Sequence, residues 1–263
     1  MSIVLENVTC GYKDKVVVKD LSAEVEAGTL LCLLGPNGVG KTTLFKSILR
    51  HLPLMSGSIH INGRLAKSFS YSEYAKLIAY VPQAHTPPFS FKVFDVVAMG
   101  RTAHMGIWGR PGKHDLDIAL HCLQRLGAES LADRIYTQLS GGERQMVLIA
   151  RALAQETEYM ILDEPTSNLD FGNQILVLNT VRKLAQEGLG IIMTTHHPNH
   201  VFQSQGSVAL MLRNHEYIFG TAKEVMTKEN LEKAYGVDVA IIDANYKDHT
   251  FPVCYPLMKE EEL

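Results

Sequence analysis

Apolar positions change their spacing several times along the chain, and each change marks an element. Residues 3–8 and 16–34 hold short runs rich in Val and Leu, broken at Gly11, Asp14, Asp20 and Gly28. They read as strands joined by tight turns. Leu30 to Leu34 is continuously apolar, the pattern of a strand buried on both faces. After a glycine-rich turn, residues 42–49 space their apolar side chains three to four apart and predict a helix. Residues 57–63 read as a hairpin strand, and residues 77–81 as a strand stopped by Pro82. From about Phe91 to Ala154 the spacing is helical, with interruptions at 106–112 and 137–142. Strand-like runs return at 159–162, 191–194 and 208–212, with helical runs between them. Strands alternating with helices predict an α/β protein with a mainly parallel sheet, and the helical block predicts a separate lobe.

Composition narrows this picture. The chain has 263 residues, 46% hydrophobic and 20% charged, enough for a sizeable core without covalent staples. A formal net charge of -3 argues against a nucleic-acid binder, which usually carries a basic face. Cys10, Cys32, Cys122 and Cys254 form no CxxC pair, so neither a zinc site nor a redox motif is indicated. Cys32 lies inside an apolar run and reads as a small buried hydrophobe; the set suits a reducing cytosol. No apolar stretch approaches the length of a membrane span, and the first six residues lack the features of a secretion signal. Work at a membrane would require recruitment by another chain. The final residues, 259–263, read as a solvated tail.

The sharpest chemistry lies at Gly35-Pro36-Asn37-Gly38-Val39-Gly40-Lys41-Thr42, a full G-x-x-x-x-G-K-[ST] phosphate loop, or P-loop, between a strand and a helix. The glycines let backbone N–H groups turn inward onto phosphate oxygens, and the helix that follows aims its positive end at the same place. Lys41 is expected to reach the β- and γ-phosphates and the Thr42 hydroxyl to ligate Mg²⁺. The run Tyr159–Leu162 ends in Asp163 and Glu164. A buried strand would deliver Asp163 beside the phosphates as a metal ligand and leave Glu164 to act on the attacking water.

At Leu139-Ser140-Gly141-Gly142-Glu143-Arg144-Gln145 the chain resembles the signature of the ATP-binding cassette (ABC) ATPases. Ser140 with Glu143 also reads as a helix capping box, and the two roles are compatible. The resemblance runs over nearly all of the chain. It implies a P-loop NTPase (RecA-like) core, about 1–84 and 155–263, with an antiparallel β subdomain and an inserted α-helical lobe at about 85–154, all in one ABC ATPase domain. By the same resemblance Tyr12 stacks on adenine, unless it is an ordinary turn tyrosine. Thr43 joins the nucleotide-binding residues, and Gln83 is the Q-loop glutamine that senses Mg²⁺ and the γ-phosphate. Asp170, in Ser167–Asp170, lies at the dimer contact, and His196 ends the switch strand. Met146, Asn168 and His197 stand where relatives more often carry Arg, Ala and Asp. In the family two such subunits sandwich two ATP molecules, each between one P-loop and the partner's Ser140-Gly141-Gly142 equivalent. A homodimer closing on ATP and opening after hydrolysis is expected.

The motif order, without a fused membrane segment, resembles the nucleotide-binding subunit of an importer. Residues 96–104 and 195–200 resemble the group importing iron chelates, haem, corrinoids and oxyanions such as molybdate. That implies polytopic permease subunits, an indirect link to a substrate-binding protein, and a place on the cytoplasmic face of the membrane. The alternative is a soluble ABC ATPase without a transport role, such as an iron–sulfur cluster assembly factor. His104, His197 and His200 read as packing or surface residues. The apolar Phe89, Phe91, Phe94 and Met99 suggest a permease contact on the helical lobe.

Overall fold

The computed structural model describes residues 1–13, 15–83, 90–106 and 109–258. Asp14, Phe89 and the 259–263 tail lie outside them. The chain opens with two long antiparallel strands, β1 (Ser2–Tyr12) and β2 (Lys15–Glu26). Next come β3 (Leu30–Leu34), the P-loop and α1 (Lys41–Ile48). β4 (Leu54–Ile61) returns to pair with β1, and the short β5 (Arg64–Leu65) completes a four-stranded antiparallel sheet in the order β2-β1-β4-β5. β4 starts three residues before the predicted 57–63, because its register with β1 extends back to Leu54 opposite Cys10.

α2 (Tyr71–Ala75) and β6 (Ile78–Val81) lead into α3 (Val93–Ala98), α4 (Lys113–Arg125) and α5 (Gly141–Leu153), with short 3-10 turns between these helices. Then β7 (Tyr159–Leu162), α6 (Phe171–Gln186), β8 (Gly190–Thr195), α7 (Pro198–Ser204), β9 (Ser207–Met211) and β10 (Tyr217–Thr221) follow. The chain continues through α8 (Ala222–Val225) and α9 (Lys228–Tyr235) to an antiparallel hairpin of β11 (Val239–Tyr246) and β12 (His249–Pro256).

The central sheet has the order β10-β9-β3-β8-β7-β6. All its pairings are parallel except that of β10 with β9. Period-two alternation divides its side chains between two cores. Leu31, Leu33, Ile161 and Ile192 face α1 and the antiparallel sheet, meeting Leu44, Phe45 and Ile48 there. Leu30, Cys32, Leu34, Met160 and Met193 face the opposite way, into the layer that holds α3 to α6. β3 is apolar throughout because both faces are covered, as its sequence predicts. All four cysteines are buried free thiols, and burial pushes the Cys32 thiol up to about 12.

Among the described residues, no helix is long and apolar enough to cross a membrane.

Candidate functional site

Four neighbouring parallel strands supply the site. β3, β8, β7 and β6 lie side by side, and at their carboxyl edge they release, in turn, the P-loop, His196, the Asp163–Glu164 pair and Gln83. The carboxyl edge of an open parallel sheet is where α/β proteins bind ligands. Residues distant in sequence thus become neighbours through strand order alone.

The P-loop turns tightly into α1. Gly40 sits at the N-cap with φ 119°, a left-handed conformation that side chains rarely adopt. A Cβ there would come within 2.8 Å of Val17 Cγ1. No side chain caps α1, so the first amides of the helix are left for another acceptor. Asn37, Gly38 and Thr42 are exposed, Pro36 and Val39 half-buried, and Gly35 and Thr43 buried. Lys41 is 6% exposed; its Nζ donates to Gly35 O at 2.6 Å and Pro36 O at 3.2 Å and lies 3.8 Å from Glu164 Oε1. Burial holds its pKa below the ordinary lysine value, against the opposing pull of Glu164 and Asp163.

Asp163 is buried, and its Oδ1 accepts from Thr194 Oγ1 at 2.8 Å. Burial raises its pKa, the Thr194 bond opposes that, and the charge of Glu164 adds to it. Glu164 has φ 45°, uncommon for a residue with a side chain. The same Thr194 hydroxyl accepts from Glu164 N at 2.7 Å and holds this turn. Glu164 Oε2 lies 3.4 Å from His196 Nδ1, without hydrogen-bond alignment. Gln83 Nε2 donates to Ser167 Oγ at 2.7 Å, joining the end of β6 to the segment after Glu164. The sequence does not single out Thr194, whose only signal is a hydroxyl at the end of an otherwise apolar strand. Nor does it single out Tyr80, whose hydroxyl lies 3.5 Å from Asp163 Oδ2 and whose pKa burial pushes up to about 12.

Tyr12 ends β1 in an exposed position, with Lys46 Nζ of α1 6.0 Å from its ring centroid. The other candidates gather elsewhere. Ser140 caps α5, its Oγ accepting from Glu143 N at 3.3 Å while Glu143 Oε2 accepts from Ser140 N at 2.8 Å. Gly142 packs so closely on Asn173 that a Cβ would lie 2.2 Å from Asn173 Oδ1. Asp170 caps α6 by accepting from Asn173 N at 2.8 Å. The structure groups Ser140, Gly141 and Gly142 with the 169–173 segment rather than with Lys41. Asn168 adopts φ 59°, a left-handed turn that asparagine tolerates better than alanine.

His104 and His200 sit in internal contacts. His104 Nε2 lies 2.8 Å from Gln155 O. His200 is 6% exposed, with Nδ1 3.2 Å from Thr195 Oγ1 and 3.3 Å from Thr166 Oγ1. Burial first, then the neighbouring His197 and His196, lowers its pKa to about 4.

Among the described residues, no cluster of three or more His, Cys, Asp or Glu side chains could hold a metal by itself. The donors near Lys41 fit Mg²⁺ in another way. Thr42 and Asp163 offer only oxygen, as that hard cation prefers, with nucleotide oxygens completing its shell. Asp163 is a buried carboxylate crowded by Glu164, a charge that a cation would compensate.

Residues 18–167 match the family described as ABC transporter. An uncharacterized ABC transporter ATP-binding protein of Haemophilus influenzae is 41% identical over 249 residues, 95% of either chain. The molybdate import ATP-binding protein MolC of the same organism is 35% identical over 98% of this chain and 97% of its own length. The solved structure of a metal-chelate type ABC transporter in an inward-facing conformation superposes with a TM-score of 0.88 at 34% identity, over 98% of this chain and 97% of the other. With a phosphate loop, an acidic strand end and a signature helix in one α/β chain, the protein belongs to the ABC transporter family of ATP-binding proteins.

Proposed function

We propose that this chain is the nucleotide-binding subunit that hydrolyses ATP to power import through a membrane permease. The proposed cargo is an iron–siderophore, haem, corrinoid or related metal complex, or an oxyanion. The observation that carries the ATPase reading is the row of four strand ends holding Gly35–Thr42, His196, Asp163–Glu164 and Gln83 at one sheet edge. The transport reading is supported by relatives named for molybdate import and metal-chelate transport, matched at nearly full length.

In the proposed mechanism the α1 amides and Lys41 bind the β- and γ-phosphates. Lys41 exchanges the Gly35 and Pro36 carbonyls for anionic oxygens, which are stronger partners. Thr42, Asp163 and Gln83 would hold Mg²⁺, which would supply charge neutralisation on the phosphate oxygens. Glu164 accepts a proton from the attacking water as the new O–P bond forms. The bond from Pγ to the bridging oxygen breaks, and Lys41 stabilises the electron pair left on the β-phosphate. His196 holds a γ-phosphate oxygen in line. Tyr12 stacks on the adenine.

Before hydrolysis, ATP joins two chains as a homodimer in which each Ser140-Gly141-Gly142 closes on the partner's γ-phosphate and Asp170 lies at the contact; hydrolysis opens it. The chain acts as one ABC ATPase domain on the cytoplasmic face of the membrane, recruited by polytopic permease subunits and linked through them to a substrate-binding protein. The permease contact is proposed on the 83–101 segment. There Phe91 and Met99 are exposed, while Phe94 packs into the core; Phe89 lies outside the described residues.

Glu164→Gln tests the division of labour between the two carboxylates. ATP binding should be retained, hydrolysis should fall about 10²-fold or more, and size-exclusion chromatography with Mg-ATP should show a stable dimer. Turnover at the parental rate would move the base to another residue. Loss of ATP binding would make Glu164 a metal or structural residue.

A further inference from the structure

His200 closes the 195–200 stretch without a catalytic role of its own, yet it sits behind two loops that matter. It projects from α7 into a buried position between Thr166, two residues past Glu164, and Thr195, one residue before His196. Thr195 Oγ1 already accepts from His197 N at 3.1 Å. Its own proton can go to His200 Nδ1 at 3.2 Å. With that direction the proton of the imidazole resides on Nε2. Thr166 Oγ1, at 3.3 Å, shares the same lone pair. The His200 ring also packs 4.8 Å from that of His197, which lies 4.0 Å from that of His196. A column of three imidazoles thus runs from the interior to the site.

We infer that His200 is a positioning residue for hydrolysis: through Nδ1 it fastens the loop that follows Glu164 to the strand end that carries His196. The inference rests on the proposed roles of those two residues. The geometry explains why a buried histidine is used here and not an apolar residue. The register of β7 with β8 ends at Leu162 and Met193. Thr194 bridges them on one side through Asp163 and Glu164. The hydroxyls of Thr166 and Thr195 need a common acceptor to bridge them a second time. A neutral imidazole provides it without placing another charge among Lys41, Asp163 and Glu164.

The test separates an acceptor at the Nδ1 position from bulk. The Asn amide oxygen falls near Nδ1 of a histidine, whereas the Gln amide group reaches the Nε2 position. In the full chain, His200→Gln and His200→Ala should each lower the kcat of ATP hydrolysis about tenfold with the KM for ATP changed less than about twofold, and His200→Asn should restore most of kcat. A packing role predicts the opposite order, with Gln, the closer match in volume, better than Asn; that order would overturn the proposal. Nitrogen NMR of the unsubstituted protein supplies a second readout, independent of folding and turnover: His200 should be the Nε2–H tautomer with a bare Nδ1. The Nδ1–H tautomer would overturn the proposal even if the variants lost activity. Parental turnover in Glu164→Gln, by contrast, would strike at the reading of Glu164 and leave the tautomer result standing.

Discussion

Two helices in this chain begin at glycine-rich loops, and they begin differently. α1 starts after Gly40 with no side-chain cap, over a lysine that is nearly buried and bonded to its own loop. α5 starts behind Ser140 and Glu143, which cap each other's backbone N–H groups, with Ser140 and Gly141 exposed. The first loop is unfinished: it opens a helix that no side chain caps, among residues from three other strands. The second is finished, and stands as a surface against α6. An anion can enter the first as a ligand fills a socket. At the second, Ser140 and Glu143 are already engaged with each other, and in the proposed dimer the anion arrives there on a partner chain. On the proposed function, a loop that binds and a loop that closes use the same positive helix end and differ in who supplies the remaining contacts.

The largest effect should come from breaking the first loop. Lys41→Ala removes the cation aimed at the transferring phosphate, and steady-state ATPase activity should fall about 10²-fold or more. Near-normal turnover would mean that Lys41, despite its burial, serves only to brace Gly35 and Pro36.

Ser140→Arg tests whether the second loop acts across a dimer. The bulky cation should leave the fold intact but block closure. In mixed dimers with Lys41→Ala and Ser140→Arg on the same subunit, one defect falls on each shared site and both sites should fail. With the two changes on opposite subunits, both defects fall on one site and the other keeps an intact P-loop and signature, so that arrangement should be the more active. Equal activity in the two arrangements would argue against shared sites.

A gentler change sharpens the role of α6. Gly142→Ala puts a Cβ where Asn173 now sits, and Asn173 is also held by Asp170 through bonds of 2.8 and 2.7 Å. The side chain must rotate away from Asp170, and thermal unfolding should report a loss of about 1–3 kcal/mol. An unchanged melting temperature would show that the 169–173 turn yields freely.

The smallest effect is a difference in titration. The Ser140 backbone N–H, and then the Ser140 hydroxyl and Arg134, hold the Glu143 carboxyl below the usual glutamate value, while burial holds Asp163 above the usual aspartate value. Glu143 therefore supports the folded state above its ordinary pKa and loses that support as pH falls through its lowered one; Asp163 opposes folding when ionised and ceases to as it takes up a proton. Carboxyl carbon NMR over an acid titration should show Asp163 protonating before Glu143. The reverse order would dissolve the electrostatic contrast between the two loops.

Much of this was legible because the physics is local. Gly40 and Lys41 announce a tight turn into a helix, Ser140 and Glu143 a cap, and Leu30–Leu34 a strand covered on both sides. The four strand ends that form the site were legible as motifs, but their adjacency was not, since β6, β7, β8 and β3 are ordered by topology and not by sequence. Bridging hydroxyls escaped for the same reason: Thr194 and Thr195 look like the fading end of a strand until β7 lies beside them. The end of the chain gave the weakest signal. β11 and β12 mix exposed Ile242, Tyr246, Phe251 and Tyr255 with Pro252 and Pro256, which blurs the alternation that marks a half-buried strand.

That terminal hairpin is not loosely appended. Asn199, beside His200, donates through Nδ2 to Cys254 O at 3.2 Å and accepts from Cys254 N at 2.8 Å, while the Tyr235 hydroxyl donates to His196 O at 3.2 Å. Asn199 thus laces the segment after His196 to the last strand, and the Tyr235 phenol ties His196 itself to the end of α9. The Cys254 amide hydrogen is shielded only while Asn199 keeps its place, so its rate of exchange with deuterated solvent becomes a gauge, read far from the phosphates, of how firmly the histidine segment is seated.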